Sequence, residues 1–246
     1  MKKITSVSNP YIKELLKLQD KKTRDLENRF LIEGYHLVEE AKIANVLEEI
    51  LIINESDAIE NIETTLVNNE IISKLSKTKN PQSIIGVCKI ESNNEIKGER
   101  LLLLDDVNDP GNLGTLIRSA LGFNIDTIIL SPNCVDVYND KVIRSTQGAI
   151  FKINIVTKDL REVIKFLKSK EIKVIGTSLN KSLGLNSLDS IKKYALILGN
   201  EANGISEEVL NQTDFNIKID INNKLESLNV AVAGAILMHY LDMKNK

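Results

Sequence analysis

The sequence has few of the residues that build metal sites and disulfide frameworks. Among its 246 residues are two cysteines, Cys88 and Cys134, and two histidines, His36 and His239, all far apart and without a CxxC pair. This spacing excludes a disulfide framework and a zinc site, so we expect no metal and a reducing cytoplasm. No stretch approaches the ~18 apolar residues of a membrane span, and polar residues follow the first four, so we expect neither export nor membrane insertion.

An excess of charge of one sign is also absent. The chain has 32 Lys and Arg residues against 34 Asp and Glu residues, and 42% apolar residues. These values exclude a disordered or collagen-like chain. The net charge neither indicates nor excludes a nucleic-acid partner, so only the local distribution of charge can indicate one. Only six of the cations are arginines. Each arginine therefore matters, because only a guanidinium offers a permanently charged bidentate fork.

A polar stretch at residues 91–99 separates two blocks that contain regular apolar patterns. We interpret it as a linker and divide the chain into domains of residues 1–97 and 98–246. The pattern of the first block predicts a small α/β domain. Its expected elements are helices beginning at Asn9-Pro10, Tyr35 and Asn69, and strands over Phe30-Leu31-Ile32, Leu47 to Ile53 and Ile84 to Cys88.

Positive charge is concentrated at the start of the first block. Residues 1–29 carry eight cations and four acidic residues, and Lys21, Lys22, Arg24 and Arg29 lie in this segment. Such a cluster favours contact with phosphate, and charge alone also fits a solvated helix face.

The second block alternates short apolar strands with helices, which predicts a parallel sheet covered on both faces. Ligands of such α/β sheets bind beyond the carboxyl ends of the strands. The residue pattern by itself indicates an open Rossmann-like sheet. Strands are expected at Leu101–Leu104, Thr127–Leu130, Ile153–Val156, Ile172–Ile175 and Ala195–Leu198, and helices from about Asn112, at Asn139–Ser145, at Leu160–Leu167 and at the end of the chain.

Three loops of this block carry chemistry-bearing residues. The first runs from Asp105 through Pro110 and two glycines into a helix, whose N–H groups favour an anion. The second runs from Gly199 to Ser206, and the third, residues 224–229, precedes a helix that is apolar nearly all round. That helix is expected to be buried, either in the core or against a second subunit. Neither GxGxxG nor a Walker loop is present, which excludes those nucleotide fingerprints.

Together the three loops resemble the three motifs of the SpoU/TrmH family in the SPOUT superfamily of RNA methyltransferases. The resemblance rests on Asn112 with Arg118, on Gly199-Asn200-Glu201 with Gly204, and on Ser227-Leu228-Asn229. The segment from Lys141 to Phe151 also resembles a family stretch.

The first block is similar to the RNA-binding N-terminal domain of the same family. The similarity rests on Ser8-Asn9-Pro10, on Phe30-Leu31-Ile32-Glu33-Gly34 and on Pro81-Gln82. The resemblance therefore implies two parts: an N-terminal α/β domain that binds RNA, and a C-terminal parallel-sheet domain with a deep trefoil knot and a homodimer formed through it.

The activity that the resemblance implies is transfer of a methyl group from S-adenosylmethionine to a ribose 2′-hydroxyl in structured RNA, either ribosomal or transfer RNA. It implies three sets of site residues. Catalytic residues are Arg118, Asn112, Glu201, Ser227 and Asn229; cofactor-binding residues are Thr177, Gly199, Ile219 and Leu228; RNA-binding residues are Lys21, Lys22, Arg24, Arg29 and Arg144.

One loop departs from the family pattern, which usually has Ile-Pro-Met and then Gly. This chain has Ile219-Asp220-Ile221-Asn222-Asn223, where Asn223 tolerates the left-handed backbone that a glycine would supply. The alternative function is a non-catalytic RNA-binding protein on the same fold. Binding of S-adenosylmethionine separates the two.

Overall fold

The structure is a computed structural model that describes residues 1–91, 94–178 and 182–245. The chain divides into two compact units. The first contains Met1–Ser92 and Asp136–Phe151, and the second contains Asn93–Val135 and Lys152–Lys246. The linear division at residue 97 stays a prediction, and the observed grouping adds residues 136–151 to the first unit.

Helices and strands are interspersed along the whole chain. Up to residue 91 the elements are β1 (Lys2–Lys3), α1 (Pro10–Lys17), α2 (Lys21–Glu27), β2 (Arg29–Glu33), α3 (Tyr35–Ile43), β3 (Leu47–Ile52), β4 (Glu63–Leu66), α4 (Asn69–Leu75) and β5 (Ile84–Lys89). They continue as β6 (Arg100–Leu104), α5 (Pro110–Gly122), β7 (Thr127–Leu130), α6 (Asp140–Thr146), β8 (Asn154–Thr157), α7 (Leu160–Ser169), β9 (Lys173–Thr177), β10 (Leu183–Gly184), β11 (Tyr194–Leu198), α8 (Glu207–Leu210), β12 (Phe215–Lys218) and α9 (Val230–Lys244).

The first unit is built on a mixed sheet in the order β1-β4-β3-β5-β2. Its predicted helices and strands are confirmed, and the Asn9 side chain caps α1 by accepting from Tyr11 N. Helix α2 was not predicted, because its sequence lacks an apolar stripe: Leu26 is 78% exposed, whereas Arg24 is buried.

The segment from Asp136 to Phe151 completes the core of the first unit. Ile143 of α6 is buried with Phe30, and the Phe30 ring lies 4.6 Å from the Tyr138 ring. Arg24 forms an ion pair with Asp136 and donates to the Leu18 carbonyl at 2.8 Å. These contacts explain why this segment groups with residues that are distant in the sequence.

The second unit contains the expected parallel sheet, in the order β10-β12-β9-β11-β6-β7-β8. Strand β12, Phe-Asn-Ile-Lys, was not predicted because only alternate residues are apolar. Helix α5 begins at Pro110, two residues before the expected start, because Asp109 caps it by accepting from Asn112 N at 2.8 Å. No helix in the described ranges is long and apolar enough to cross a membrane.

Helix α9 is only half buried, although its sequence is apolar nearly all round. Its buried face includes Ala231 and Gly234, where an added Cβ would lie 2.5 Å from Leu116 Cδ2 of α5. The small residues therefore allow close packing within the unit. The opposite face leaves Val232 and Ile236 exposed.

Candidate active site

The candidate site lies at the carboxyl ends of the parallel strands of the second unit. Strands β6 and β11 are neighbours, and Leu104 lies opposite Leu198. The loops that follow them therefore begin side by side, at the edge of the sheet where α/β proteins bind ligands.

A network of hydrogen bonds joins these two loops. The Asn200 side chain donates to the Asp106 carbonyl at 2.8 Å, and Ser206 N donates to the buried carboxylate of Asp105 at 2.8 Å. The second loop closes on itself through paired backbone bonds of 2.9 Å between Asn200 and Gly204. A Cβ on Gly199 would overlap the backbone of Gly204, so this turn requires glycine.

A cavity of about 710 Å³ opens beside these loops. All four predicted cofactor residues, Thr177, Gly199, Ile219 and Leu228, line it. The remaining wall combines apolar side chains with polar ones, among them Glu201, Ser227 and Asn229. This size and mixture suit a nucleoside-sized ligand such as S-adenosylmethionine.

Three of the predicted catalytic side chains form a hydrogen-bonded chain at this cavity. Asn112 Nδ2 donates to Glu201 Oε1 at 3.0 Å, and Asn229 Nδ2 donates to Asn112 Oδ1 at 2.9 Å. Asn229 Oδ1 also accepts from Ala231 N and so caps α9. Each member of the chain is therefore fixed by its neighbours and by a helix terminus.

Glu201 is held in its charged form. Partial burial raises the pKa of its carboxyl, but hydrogen bonds from Asn112 and from backbone N–H groups outweigh burial, so the pKa lies below the usual range. The backbone donors include Asp109 N at 3.1 Å and Asn108 N at 3.3 Å. Glu201 thus fastens the start of α5 to the second loop.

The other two predicted catalytic residues are placed differently. Ser227 lines the cavity and is exposed. Arg118 is exposed on α5 and has no hydrogen-bond or ion-pair partner among the described residues. Arg118 lies six residues after Asn112 on α5, which places it about 9 Å further along the helix axis and about 120° around it. Arg118 therefore does not join the hydrogen bonds between Glu201, Asn112 and Asn229.

The loop that departs from the family pattern closes without a left-handed residue at Asn223. Asn223 tolerates that conformation, but within the described ranges it is not among the residues with positive φ. Instead Asn222 Oδ1 accepts a hydrogen bond from Lys224 N at 2.9 Å, and the backbone carbonyl of Asn222 accepts one from Leu225 N. An asparagine side chain can replace the glycine by closing the turn itself.

The predicted RNA-binding residues lie in the first unit and differ in exposure. Lys21 and Lys22 are exposed. Arg29 is half-buried and lies 3.4 Å from Glu27, and Arg144 pairs with Asp140 at 2.5 Å. Arg24 is only 6% exposed and is paired with Asp136, a position that favours a structural role.

Asp105, Asp109 and Asn200 hold the site together but were absent from the predicted site residues. Each supports a loop through backbone hydrogen bonds. Asp105 and Asn200 lie within two residues of the ends of β6 and β11, and Asp109 precedes Pro110 at the start of α5, so their positions at element ends were a usable signal.

Comparison with known proteins identifies the family. Residues 99–239 match the model of the SpoU rRNA methylase family, and residues 9–86 match an MRM3-like substrate binding domain. The 23S rRNA (guanosine(2553)-2′-O)-methyltransferase RlmP of Bacillus subtilis (strain 168) is 39% identical over 98% of this chain and 99% of that protein.

Solved structures agree. The AdoMet-bound rRNA methyltransferase from Sinorhizobium meliloti is 28% identical, with a TM-score of 0.89 over 98% of this chain and 97% of that one. The methyltransferase AviRb from Streptomyces viridochromogenes shares the fold, with 20% identity and a TM-score of 0.87 over 96% and 98%. The motif residues, the parallel sheet and the whole-length relative all lead to the same conclusion: this chain belongs to the SpoU rRNA methylase family.

Proposed function

We propose that this protein methylates a ribose 2′-hydroxyl of 23S ribosomal RNA with S-adenosylmethionine as the methyl donor. The family assignment and the whole-length similarity to RlmP support this proposal. One observation carries it: hydrogen bonds join the side chains of Glu201, Asn112 and Asn229, and Glu201 and Asn229 line the same cavity as Thr177 and Gly199. Transfer RNA is the other substrate class that the sequence left open.

Thr177, Gly199, Ile219 and Leu228 would hold the cofactor. They belong to separate loops that meet in one cavity, which suits recognition by backbone groups and apolar surface. When bound, S-adenosylmethionine supplies an electrophilic methyl group on a sulfonium. The protein has to orient the ribose hydroxyl towards that group and relieve it of its proton.

Glu201 acts by positioning. Its oxygens already accept from Asn112 and from two backbone N–H groups, and a carboxylate with a lowered pKa is a weak base. Asn112 and Asn229 would orient the ribose, and Ser227 would contact it from the cavity wall.

Arg118 would bind the phosphate beside the target ribose and stabilise the developing alkoxide. A guanidinium has a pKa above ~12 and rarely releases its proton, so a fixed positive charge suits it better than the role of base. Its exposure on α5, without an acidic partner in the described chain, leaves its donors available to RNA.

The first unit would bind the RNA. Lys21 and Lys22 are exposed, and Arg29 and Arg144 are partly exposed. Arg24 would support this surface through its pair with Asp136 rather than contact phosphate. The similarity of residues 9–86 to a substrate binding domain supports the assignment.

The enzyme would act as a homodimer that covers α9. Val232, Ile236, His239 and Met243 are exposed and recur at intervals of three and four residues, so they form one stripe. The apolar members are 49%, 39% and 52% exposed, which is costly in a monomer.

A trefoil knot and a cytoplasmic location complete the proposal. The strand order supports the knot, because the chain passes from β11 to β12 beyond β9 and then returns with α9 against α5 and β11. Two buried free thiols, Cys88 and Cys134, and an rRNA substrate support the cytoplasm.

Methyl transfer to separated RNAs tests the proposed function. Purified protein is incubated with tritium-labelled S-adenosylmethionine and unmodified 23S rRNA, 16S rRNA or tRNA. We expect label in 23S rRNA only. Label in tRNA alone would change the substrate, and absence of both labelling and cofactor binding would favour the non-catalytic RNA-binding alternative.

A further inference from the structure

A second pocket, in the first unit, has no part in the proposed methyl-transfer site. It encloses about 440 Å³ and is lined by Tyr35, with Ile53, Ile72 and Pro81 among its apolar neighbours. Asn69, Ser73, Gln82 and Ser83 supply polar groups to the same pocket. An apolar pocket with an aromatic wall and amide groups matches the flat face and polar edges of a nucleobase.

Tyr35 is an exposed aromatic ring with a fixed orientation. It is 46% exposed, and its hydroxyl donates to Asp57 Oδ2 at 3.0 Å and lies 2.7 Å from Ser83 Oγ. Tethering at the hydroxyl leaves the ring face available while restricting its rotation. Unpaired bases stack on aromatic side chains of this kind.

The loop of residues 76–83, which supplies Pro81, Gln82 and Ser83 to the pocket, is held in place by Glu33. Its carboxylate accepts from Ser76 Oγ at 2.6 Å, from Thr78 Oγ1 at 2.9 Å and from Gln82 N at 2.9 Å. The pocket is therefore formed before any ligand binds.

Gly34 allows the loop to approach the strand end. Its φ is +103°, and an added Cβ would lie 2.6 Å from Gln82 Nε2. Gln82 therefore lies directly over this backbone, beside Tyr35. Lys77 and Lys79 do not line the pocket, but both are exposed on the loop that leads to Pro81 and Gln82.

We propose that the Tyr35 pocket binds an unpaired nucleobase of the RNA substrate, while Lys77 and Lys79 contact the neighbouring phosphates. The proposal rests on the proposed function, because it takes RNA as the substrate. It goes beyond that function by naming the feature of the RNA that is recognised, which is a base outside a duplex. A duplex offers phosphates to the lysines but no free base face to Tyr35.

A tryptophan reporter tests stacking directly. The chain contains no tryptophan, so Tyr35→Trp introduces a single one. Single-stranded RNA should quench its fluorescence, and a fully paired RNA duplex at the same concentration should not. Phe166→Trp is the control, because Phe166 is 48% exposed on α7 of the other unit. Equal quenching at both positions, or none at position 35, would overturn the proposal.

Affinity measurements keep the proposal falsifiable if the reporter disturbs the pocket. With a labelled 23S rRNA fragment that contains unpaired residues, Tyr35→Ala should weaken binding about 10-fold or more, and Tyr35→Phe, which keeps the ring, should bind nearly as wild type. The double variant Lys77→Glu/Lys79→Glu should weaken binding and flatten its salt dependence, whereas Lys165→Glu on exposed α7 should not.

Cofactor binding and methyl transfer are measured separately on the same variants. If wild type binds RNA through Tyr35 but transfers no methyl group, the proposed function fails and the pocket assignment stands. If wild type methylates RNA and Tyr35→Ala binds RNA with unchanged affinity, the pocket assignment fails alone.

Discussion

At the scale of single residues, the site depends on amides that serve two purposes. Asn229 caps a helix with its oxygen and donates to Asn112 with its nitrogen. The sequence motif predicted these residues together with Glu201. It did not predict their order in the chain of hydrogen bonds, because that order depends on which loops become neighbours in the folded sheet.

Asn112→Ala should raise the pKa of Glu201. The variant removes a donor that stabilises the charged carboxylate, leaving burial, which raises the pKa, with less opposition. A group with a lowered folded-state pKa stabilises the fold above its unfolded pKa, and that contribution is lost as pH falls through the folded value. In the variant that contribution should therefore be smaller, and its loss should be complete at a higher pH. Carbon NMR titration of the Glu201 carboxyl measures the shift, and an unchanged or lower pKa would contradict it.

Arg118→Ala should reduce single-turnover methyl transfer about 100- to 1000-fold, the usual cost of removing one contact to a developing oxyanion. Cofactor affinity should be preserved, because Arg118 does not line the cavity. Arg118→Lys should retain part of the rate, since charge remains but the bidentate fork is lost. Lys165→Ala is the control for loss of an exposed cation.

The pH profile separates the two roles of Arg118. If the guanidinium were the base, Arg118→Lys, with a lower side-chain pKa, would outperform wild type at alkaline pH. Near-normal transfer by Arg118→Ala would exclude both roles.

At the scale of elements, residues that cap helices predicted element boundaries best. Asn9-Pro10 marked the start of α1 correctly, whereas α5 starts at Pro110 because Asp109, rather than a residue nearer Asn112, is its cap. Strand β12 could not be predicted, because an alternation of apolar and polar residues over only four positions is too short to indicate a strand.

Two substitutions of Asn229 should distinguish its role in capping α9 from its role in the active site. They are Asn229→Asp and Asn229→Ala. Aspartate keeps an oxygen for Ala231 N, so stability should stay near wild type, whereas alanine should cost about 1 kcal/mol in the free energy of unfolding. Both variants lose the donor to Asn112 and should lose activity. Urea unfolding and methyl transfer provide the two measurements. Full activity in Asn229→Asp would show that the donor is dispensable.

Ile236→Lys should convert the proposed dimer to a monomer. The residue is 39% exposed in the single chain, so lysine is tolerated there, but a dimer interface would bury its charge without a partner. Light scattering at micromolar concentration should give the mass of a dimer for wild type and of a monomer for the variant. A monomeric wild type would refute the interface. Phe166→Lys, which also replaces an exposed apolar side chain by lysine, is the matched control on α7.

At the scale of the whole molecule, the parallel sheet of the second unit could be predicted because its central strands β6, β7 and β11 are nearly continuous apolar runs. The grouping of residues 136–151 with the first unit could not. It depends on the contact of Phe30 with Tyr138 and on the pair of Arg24 with Asp136, which join residues over 100 positions apart. Periodicity reports only local structure, and for the same reason it indicated an open sheet where family resemblance implied a knot.

Methylation of the ribose 2′-oxygen is tested most directly with an RNA that lacks this single oxygen. The nucleotide that the protein methylates in unmodified 23S rRNA is first mapped, and a fragment is then prepared with a ribose or with a 2′-deoxyribose at that position. Under single-turnover conditions we expect methylation of the ribose form, mapped to that 2′-oxygen, and none of the deoxy form. Equal labelling of both RNAs would show that the acceptor is another atom and would contradict 2′-O-methylation.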